Sequence, residues 1–260
     1  MAIRKLLLPL RDLTEAEPGF ATATMVCRLW NAHLAVLYVA ADKHNETAVR
    51  EGFTNLATKN SLVVSEPSAG ANKVTTSLSV ILGRDPDIVA YHARLADLVV
   101  VPHAASTPDA FATDALHAVL FDSGRPVLIA PHIVPGAVGT RICLGWNGSA
   151  ESASAVQTVL PWLPRAQAIR ILWSDAYQRR GPLAPDLEAY LAAHGLTADQ
   201  AEFKPVNKIV GAGLLAAANE FACDLLVMGA YSQSRMRQRI LGGVTRHVLE
   251  RANLPVIMHR

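Results

Sequence analysis

Short apolar runs alternate with longer segments of helical period along the whole chain, a pattern that predicts parallel strands covered by helices. The first series predicts strands at Lys5–Pro9, His33–Val39, Thr75–Leu82, Asp97–Val101 and Pro126–Ala130, with helices at Pro18–Asn31, Glu46–Lys59, Pro86–Leu95 and Thr113–Phe121. A second series predicts strands at Arg141–Trp146, Ala168–Trp173, Ala201–Val206, Asp224–Met228 and Pro255–Met258, with helices at Ser149–Leu160, Pro185–His194, Ala212–Phe221 and Gly243–Ala252. The runs Leu98–Val101 and Leu225–Met228 lack polar alternation, as expected of strands covered on both faces.

The two series are copies of one unit. Ile88–Val101 aligns with Leu215–Met228, placing Asp97 on Asp224 at an offset of 127. Pro126–His132 aligns with Pro255–His259 at an offset of 129, and Leu6–Leu10 with Ile142–Trp146 at 136. Offsets this close, in unchanged order, are the mark of an internal repeat. Pro131–Gly139, with two prolines, two glycines and no charge, is the natural linker, so the predicted domains are residues 1–135 and 136–260. The expected fold class is α/β, two tandem doubly wound five-stranded parallel sheets.

Composition narrows the picture slightly. A mean hydropathy of +0.22 raises the question of a membrane, but the longest stretch free of Asp, Glu, Lys and Arg is Pro126–Thr140, fifteen residues interrupted by three prolines. That is too short to span. The apolar run Leu6–Leu10 is too short for a signal peptide, so a cytoplasmic protein without a membrane partner is expected. A net charge of +2 gives no basic face for nucleic acid. Cys27, Cys143 and Cys223 form no C-x-x-C pair and read as buried thiols.

Ligands of open parallel sheets bind beyond the carboxyl ends of the strands, where the connections reverse direction. After Met228 the chain runs through Gly229 to Gly242-Gly243 at the mouth of a helix. From Leu225 to Leu249 it carries Arg235, Arg237, Arg239 and Arg246 and no Asp or Glu. Glycines at a strand end and a helix start, in a basic stretch, suit a phosphate. The same residues also suit a turn, a helix start and a solvated face, and the spacing alone leaves both readings open.

The segments Asp224-Leu-Leu-Val-Met-Gly-Ala-Tyr231, Leu241-Gly-Gly-Val-Thr-Arg-His-Val-Leu249 and Leu254-Pro-Val-Ile257, with Cys143-Leu-Gly-Trp-Asn-Gly-Ser149, resemble the universal stress protein family. With the repeat, the resemblance covers the chain as a tandem pair of Rossmann-like domains of the adenine-nucleotide α-hydrolase type. It implies a non-catalytic stress-response protein that binds ATP, with Mg, in its second domain through Asn147, Gly229, Ser232, Gly242, Gly243 and Thr245. The family's motif is Gly, two residues, Gly, nine residues, Gly, then Ser or Thr. Here Ser232 replaces the second glycine, Gly243 replaces the hydroxyl residue, and Asn147 replaces a strand-end aspartate. A left-handed serine costs roughly 1–2 kcal/mol and a lost hydroxyl-to-phosphate bond roughly 1.5–3 kcal/mol, so weak binding is expected. Thr245 offers a substitute hydroxyl.

The first copy carries Arg11 at the Asn147 position and no glycine from Arg84 to Ser123, so its site is expected to be degenerate. The apolar last strands would pair, as a homodimer or as an intramolecular pseudo-dimer of the two halves. The other function classes weighed are a nucleotide-independent interaction module and a slow ATP hydrolase. Gly211-Ala-Gly213 reads as helix packing rather than a dinucleotide fingerprint, since no acid lies between Asp224 and Glu250. Ser149 reads as a helix N-cap rather than a nucleophile. His132 and His259, at matching strand ends, read as surface or capping residues, and no histidine pair has metal-ligand spacing.

Overall fold

The computed structural model describes residues 3–40, 46–67, 73–83, 86–103, 110–231 and 243–260. They form two compact units, Met1–Gly136 and Ala137–Arg260.

The first unit runs β1 (Lys5–Leu10), α1 (Glu17–Trp30), β2 (His33–Ala40), α2 (Glu46–Lys59), β3 (Val63–Val64), β4 (Thr75–Leu82), α3 (Pro86–Ala93), β5 (Leu98–Pro102), α4 (Phe111–Ala118) and β6 (Val127–Ala130). Its strands pair in parallel in the order β3-β4-β2-β1-β5-β6. To the five expected strands it adds β3, and α4 widens into a π-helical turn over Val119–Ser123. The second unit runs β7 (Arg141–Gly145), α5 (Ala150–Val159), β8 (Ala168–Trp173), α6 (Ala184–Ala193), β9 (Asp199–Glu202), α7 (Val210–Glu220), β10 (Leu225–Gly229), α8 (Gly243–Arg251) and β11 (Val256–His259). Its sheet is also parallel, ordered β11-β10-β7-β8-β9. The expected last strand of this series before α7 was Ala201–Val206; β9 lies earlier because Arg170 of β8 binds Asp199 through both carboxylate oxygens, which pins the edge register there.

Both cores follow the apolar runs. Every residue of β5 and β10 is buried, as unalternated strands covered on both faces should be. Trp162 is fully buried against Gly139, whose φ of +82° and a Cβ site 2.9 Å from the indole both demand glycine. Trp30 and Trp146 are buried, whereas Trp173 is only half-buried.

The aligned aspartates do the same work in each unit. Asp97 Oδ2 accepts the backbone N–H groups of Arg4 (2.8 Å) and Lys5 (3.0 Å), tying the start of β5 to the start of β1. Asp224 Oδ1 accepts those of Gly139, Thr140 and Arg141, each at 2.9 Å, tying the start of β10 to the start of β7. The offset of 127 residues thus corresponds to one repeated hydrogen-bonding device. Among the described residues no helix is long and apolar enough to cross a membrane.

The thiols are closer than their separation in sequence suggests. Cys27 and Cys143 are buried and Cys223 is half-buried. The Cys143 and Cys223 side chains share a hydrogen bond, which raises the Cys143 pKa and lowers that of Cys223.

Candidate functional site

In the second unit β7 is flanked by β8 on one side and β10 on the other, so the chain leaves the carboxyl ends of β7 and β10 in opposite directions. The crevice of a doubly wound sheet lies there. Gly145 pairs with Met228, which puts the loop Trp146–Ser149 beside Gly229.

Asn147 is buried in that loop. Its Oδ1 accepts the Ser149 N–H at 3.1 Å in an Asx turn, and its backbone oxygen accepts the Arg179 N–H at 2.7 Å. Among the described residues the Asn147 Nδ2 has no partner, so it retains donors for a ligand. Ser149 is the N-cap of α5, its Oγ accepting the Ser152 N–H at 3.2 Å. Gly148, at φ +76°, lies against Gly181 of the loop that follows β8, and Trp146 Nε1 donates to Pro182 O at 3.0 Å. Those contacts hold the two loops together as one lip of the crevice.

Gly229 has a tighter neighbour than a ligand. A Cβ there would stand 2.5 Å from Ser152 N and 2.7 Å from the Glu151 carbonyl carbon, so this glycine admits the first turn of α5. The left-handed residue of the turn is Tyr231, at φ +57°. Burial pushes the Tyr231 phenol up to about 12. Thr245, buried in the first turn of α8, accepts the Tyr231 N–H on Oγ1 at 3.5 Å, closing the two described ends of the loop on each other. Gly243 opens α8, is exposed, and has nothing within 4 Å of a Cβ site. Asn147, Gly229, Gly243 and Thr245 therefore sit around one switch point; Ser232 and Gly242 lie outside the described residues, as do three of the four arginines, Arg235, Arg237 and Arg239. The fourth, Arg246, pairs with Glu250 at 2.7 Å on the exposed face of α8.

Residues 140–260 match the model of the universal stress protein family. That match lies wholly within the second unit, which is therefore similar to the universal stress protein family. Solved structures extend the fold to the rest of the chain. A universal stress protein from Archaeoglobus fulgidus superposes with a TM-score of 0.71 at 16% identity, covering 98% of this chain and 96% of that one. A functionally unknown protein of Pseudomonas aeruginosa gives 0.62 at 16% identity, with 99% and 92% covered. The cytoplasmic domain of a prokaryotic cation chloride cotransporter gives 0.53 at 13% identity, with 99% and 96% covered. No curated protein matches the sequence.

The equivalent point in the first unit is filled differently. Arg11, just beyond β1, lays its guanidinium 4.6 Å from the centre of the Phe111 ring at the start of α4. His103, just beyond β5, is buried, its ring 3.8 Å from that of His132. Burial, and then the charge of His132, lower the His103 pKa from 6.5 to about 4. The unfolded chain therefore binds a proton between those values that the folded chain refuses, and stability must fall as pH drops from 6.5 towards 4. Urea midpoints across that window are expected to decline, with a smaller slope for His103→Gln; identical slopes would reject His103 as the source.

The remaining sequence readings find local roles. A Cβ at Gly211 would stand 2.8 Å from His247 Cβ of α8, and one at Gly213 would meet Lys204 O, so these glycines serve helix packing. His259 Nδ1 lies 3.1 Å from Thr158 Oγ1 of α5. Among the described residues no three His, Cys, Asp or Glu side chains are grouped to hold a metal.

Proposed function

We propose that the chain is a cytoplasmic, non-catalytic stress-response protein whose second unit binds an adenine nucleotide, Mg-ATP, weakly in the crevice between β7 and β10. The supporting observation is the convergence of Asn147, Gly229, Gly243 and Thr245 on one switch point within a unit similar to the universal stress protein family. The free Asn147 amide suits the nucleoside, and the open N–H edge of α8 at Gly243 suits phosphate. Ser232 and Gly242 complete the proposed set. Weak affinity follows because Asn147 Oδ1 and the Thr245 hydroxyl already have partners and Gly229 is crowded by α5. Titration calorimetry with Mg-ATP is expected to give saturable heat with Kd of roughly 0.1 mM, about −5.5 kcal/mol. Absence of heat at millimolar ligand overturns the proposal.

A second reading, a nucleotide-independent interaction module, is favoured by the packing of Gly229 on α5, which gives that glycine a reason to exist without ligand. Thermal unfolding separates the two, because ligand at 100 times its Kd stabilises by about 2.7 kcal/mol. Phosphate release above the buffer rate would instead indicate hydrolysis. The paired state expected of the apolar last strands, between copies or between halves, belongs to the same proposal and is read from the mass in solution.

A further inference from the structure

The strand β4 reads Thr-Thr-Ser-Leu-Ser-Val-Ile-Leu, so Thr75, Ser77 and Ser79 share one face while Thr76, Leu78 and Val80 share the other. The register sets Ala35 of β2 between Leu7 of β1 and Ser77, and Leu37 beside Ser79. The short side chains at 35, 77 and 79 leave room above the sheet, and a pocket of about 130 Å³ opens there in the first unit. Its walls are the segment after β3, which brings Glu66, and α3, which brings His92.

The pocket is equipped with polar groups. His33, buried on the floor, places Nδ1 2.8 Å from Thr75 Oγ1 and Nε2 3.0 Å from Ser77 Oγ, which fixes the ring and the Ser77 hydroxyl. A neutral imidazole has one donor and one acceptor, so both ring nitrogens are satisfied and Ser77 keeps bonding capacity towards the pocket. Lys5 and Glu66 both line this space, yet among the described residues neither side chain has an ion pair or hydrogen bond. His92 and Ser79 are likewise without hydrogen-bond partners among the described residues. The charges are felt across the pocket. Burial, then the field of Lys5, lowers the His92 pKa; for His33, burial lowers it most, with Glu66 raising and Lys5 lowering it further.

Two opposite charges that share a small polar pocket without pairing are complementary to a ligand carrying both. We infer that this pocket binds a small zwitterion of free-amino-acid size, its carboxylate held by Lys5, His92 and the serine hydroxyls and its ammonium by Glu66. The volume admits about six heavy atoms at protein-like packing. The site is separate from the nucleotide crevice, since every residue in it belongs to the first unit.

The test is a titration of the full ¹⁵N-labelled chain, read by amide shifts, with alanine, acetate and ethylamine as probes. Saturable shifts with alanine at Lys5, His33, Ser77 and Ser79, with acetate and ethylamine at least tenfold weaker, are expected. Glu66→Gln and Lys5→Ala are each expected to weaken alanine tenfold or more. Glu66 is exposed and Lys5 half-buried, so both variants keep the fold, which their unperturbed spectra verify. Acetate binding as tightly as alanine, affinity unchanged in Glu66→Gln, or no saturable shift with any probe overturns the inference.

Discussion

Replacing Asp224 with alanine is expected to destabilise the second unit by about 4 kcal/mol, the largest effect of any single polar substitution proposed for this chain. One carboxylate oxygen accepts three backbone N–H groups at 2.9 Å, and the other accepts Thr140 again at 3.1 Å. Hydrogen bonds to a charged group contribute roughly 1.5–3 kcal/mol each, reduced here because the site is only part-buried and water can replace some of them. Asp97 in the first unit accepts two N–H groups rather than three, one of them exposed, so Asp97→Ala is expected to cost about half as much. Urea unfolding followed by amide exchange at Gly139–Arg141 measures the difference locally. Equal and small losses for the two alanine variants would mean that water serves these N–H groups as well as the carboxylate does.

Gly229→Ala is the second large effect, about 3 kcal/mol of destabilisation, and Gly243→Ala is its control. At 229 the new methyl would meet backbone atoms of Ser152 and Glu151 at 2.5–2.7 Å, and a helix backbone cannot step aside as a flexible side chain can. Overpacking of this kind costs roughly 1–3 kcal/mol, and the upper end applies to a backbone clash. At 243 the methyl has open space and a helical position, so alanine is expected to be neutral or stabilising by up to about 1 kcal/mol. Denaturation midpoints report the stabilities and Mg-ATP calorimetry reports the crevice. A Gly229→Ala protein of undiminished stability would return that glycine to a purely ligand-facing role.

Those glycines show how far sequence reasoning reached. A glycine at the end of a buried strand signals close approach, but spacing does not say what approaches, and at Gly229 the neighbour is α5, about eighty residues earlier in the chain. Ser149 was legible as an N-cap because capping is local. The strands of both sheets were legible wherever burial is continuous. Val63–Val64 was not, since two exposed residues carry no periodicity and pair only through backbone. Of the proposed site residues, Asn147, Gly229, Gly243 and Thr245 lie in the described segments, near the carboxyl ends of β7 and β10 to which the topology rule directs attention. The thiol pair and the first-unit pocket were missed because both arise from register across strands. For the pocket, the only advance signal was the Thr-x-Ser-x-Ser alternation within β4.

The pairing of β7 with β10 has a consequence for assembly. Ile142 and Leu225 are adjacent across the sheet but 83 residues apart along the chain, whereas β7 meets β8 within 27. Closing the longer loop costs more entropy and must wait for more of the polypeptide to emerge. During synthesis β7, β8 and β9 can associate first, with the amide of Asn147 at an open sheet edge. The crevice begins to form only when β10 docks and is closed only once α8 follows it, so the part of the unit proposed to hold a ligand is built late.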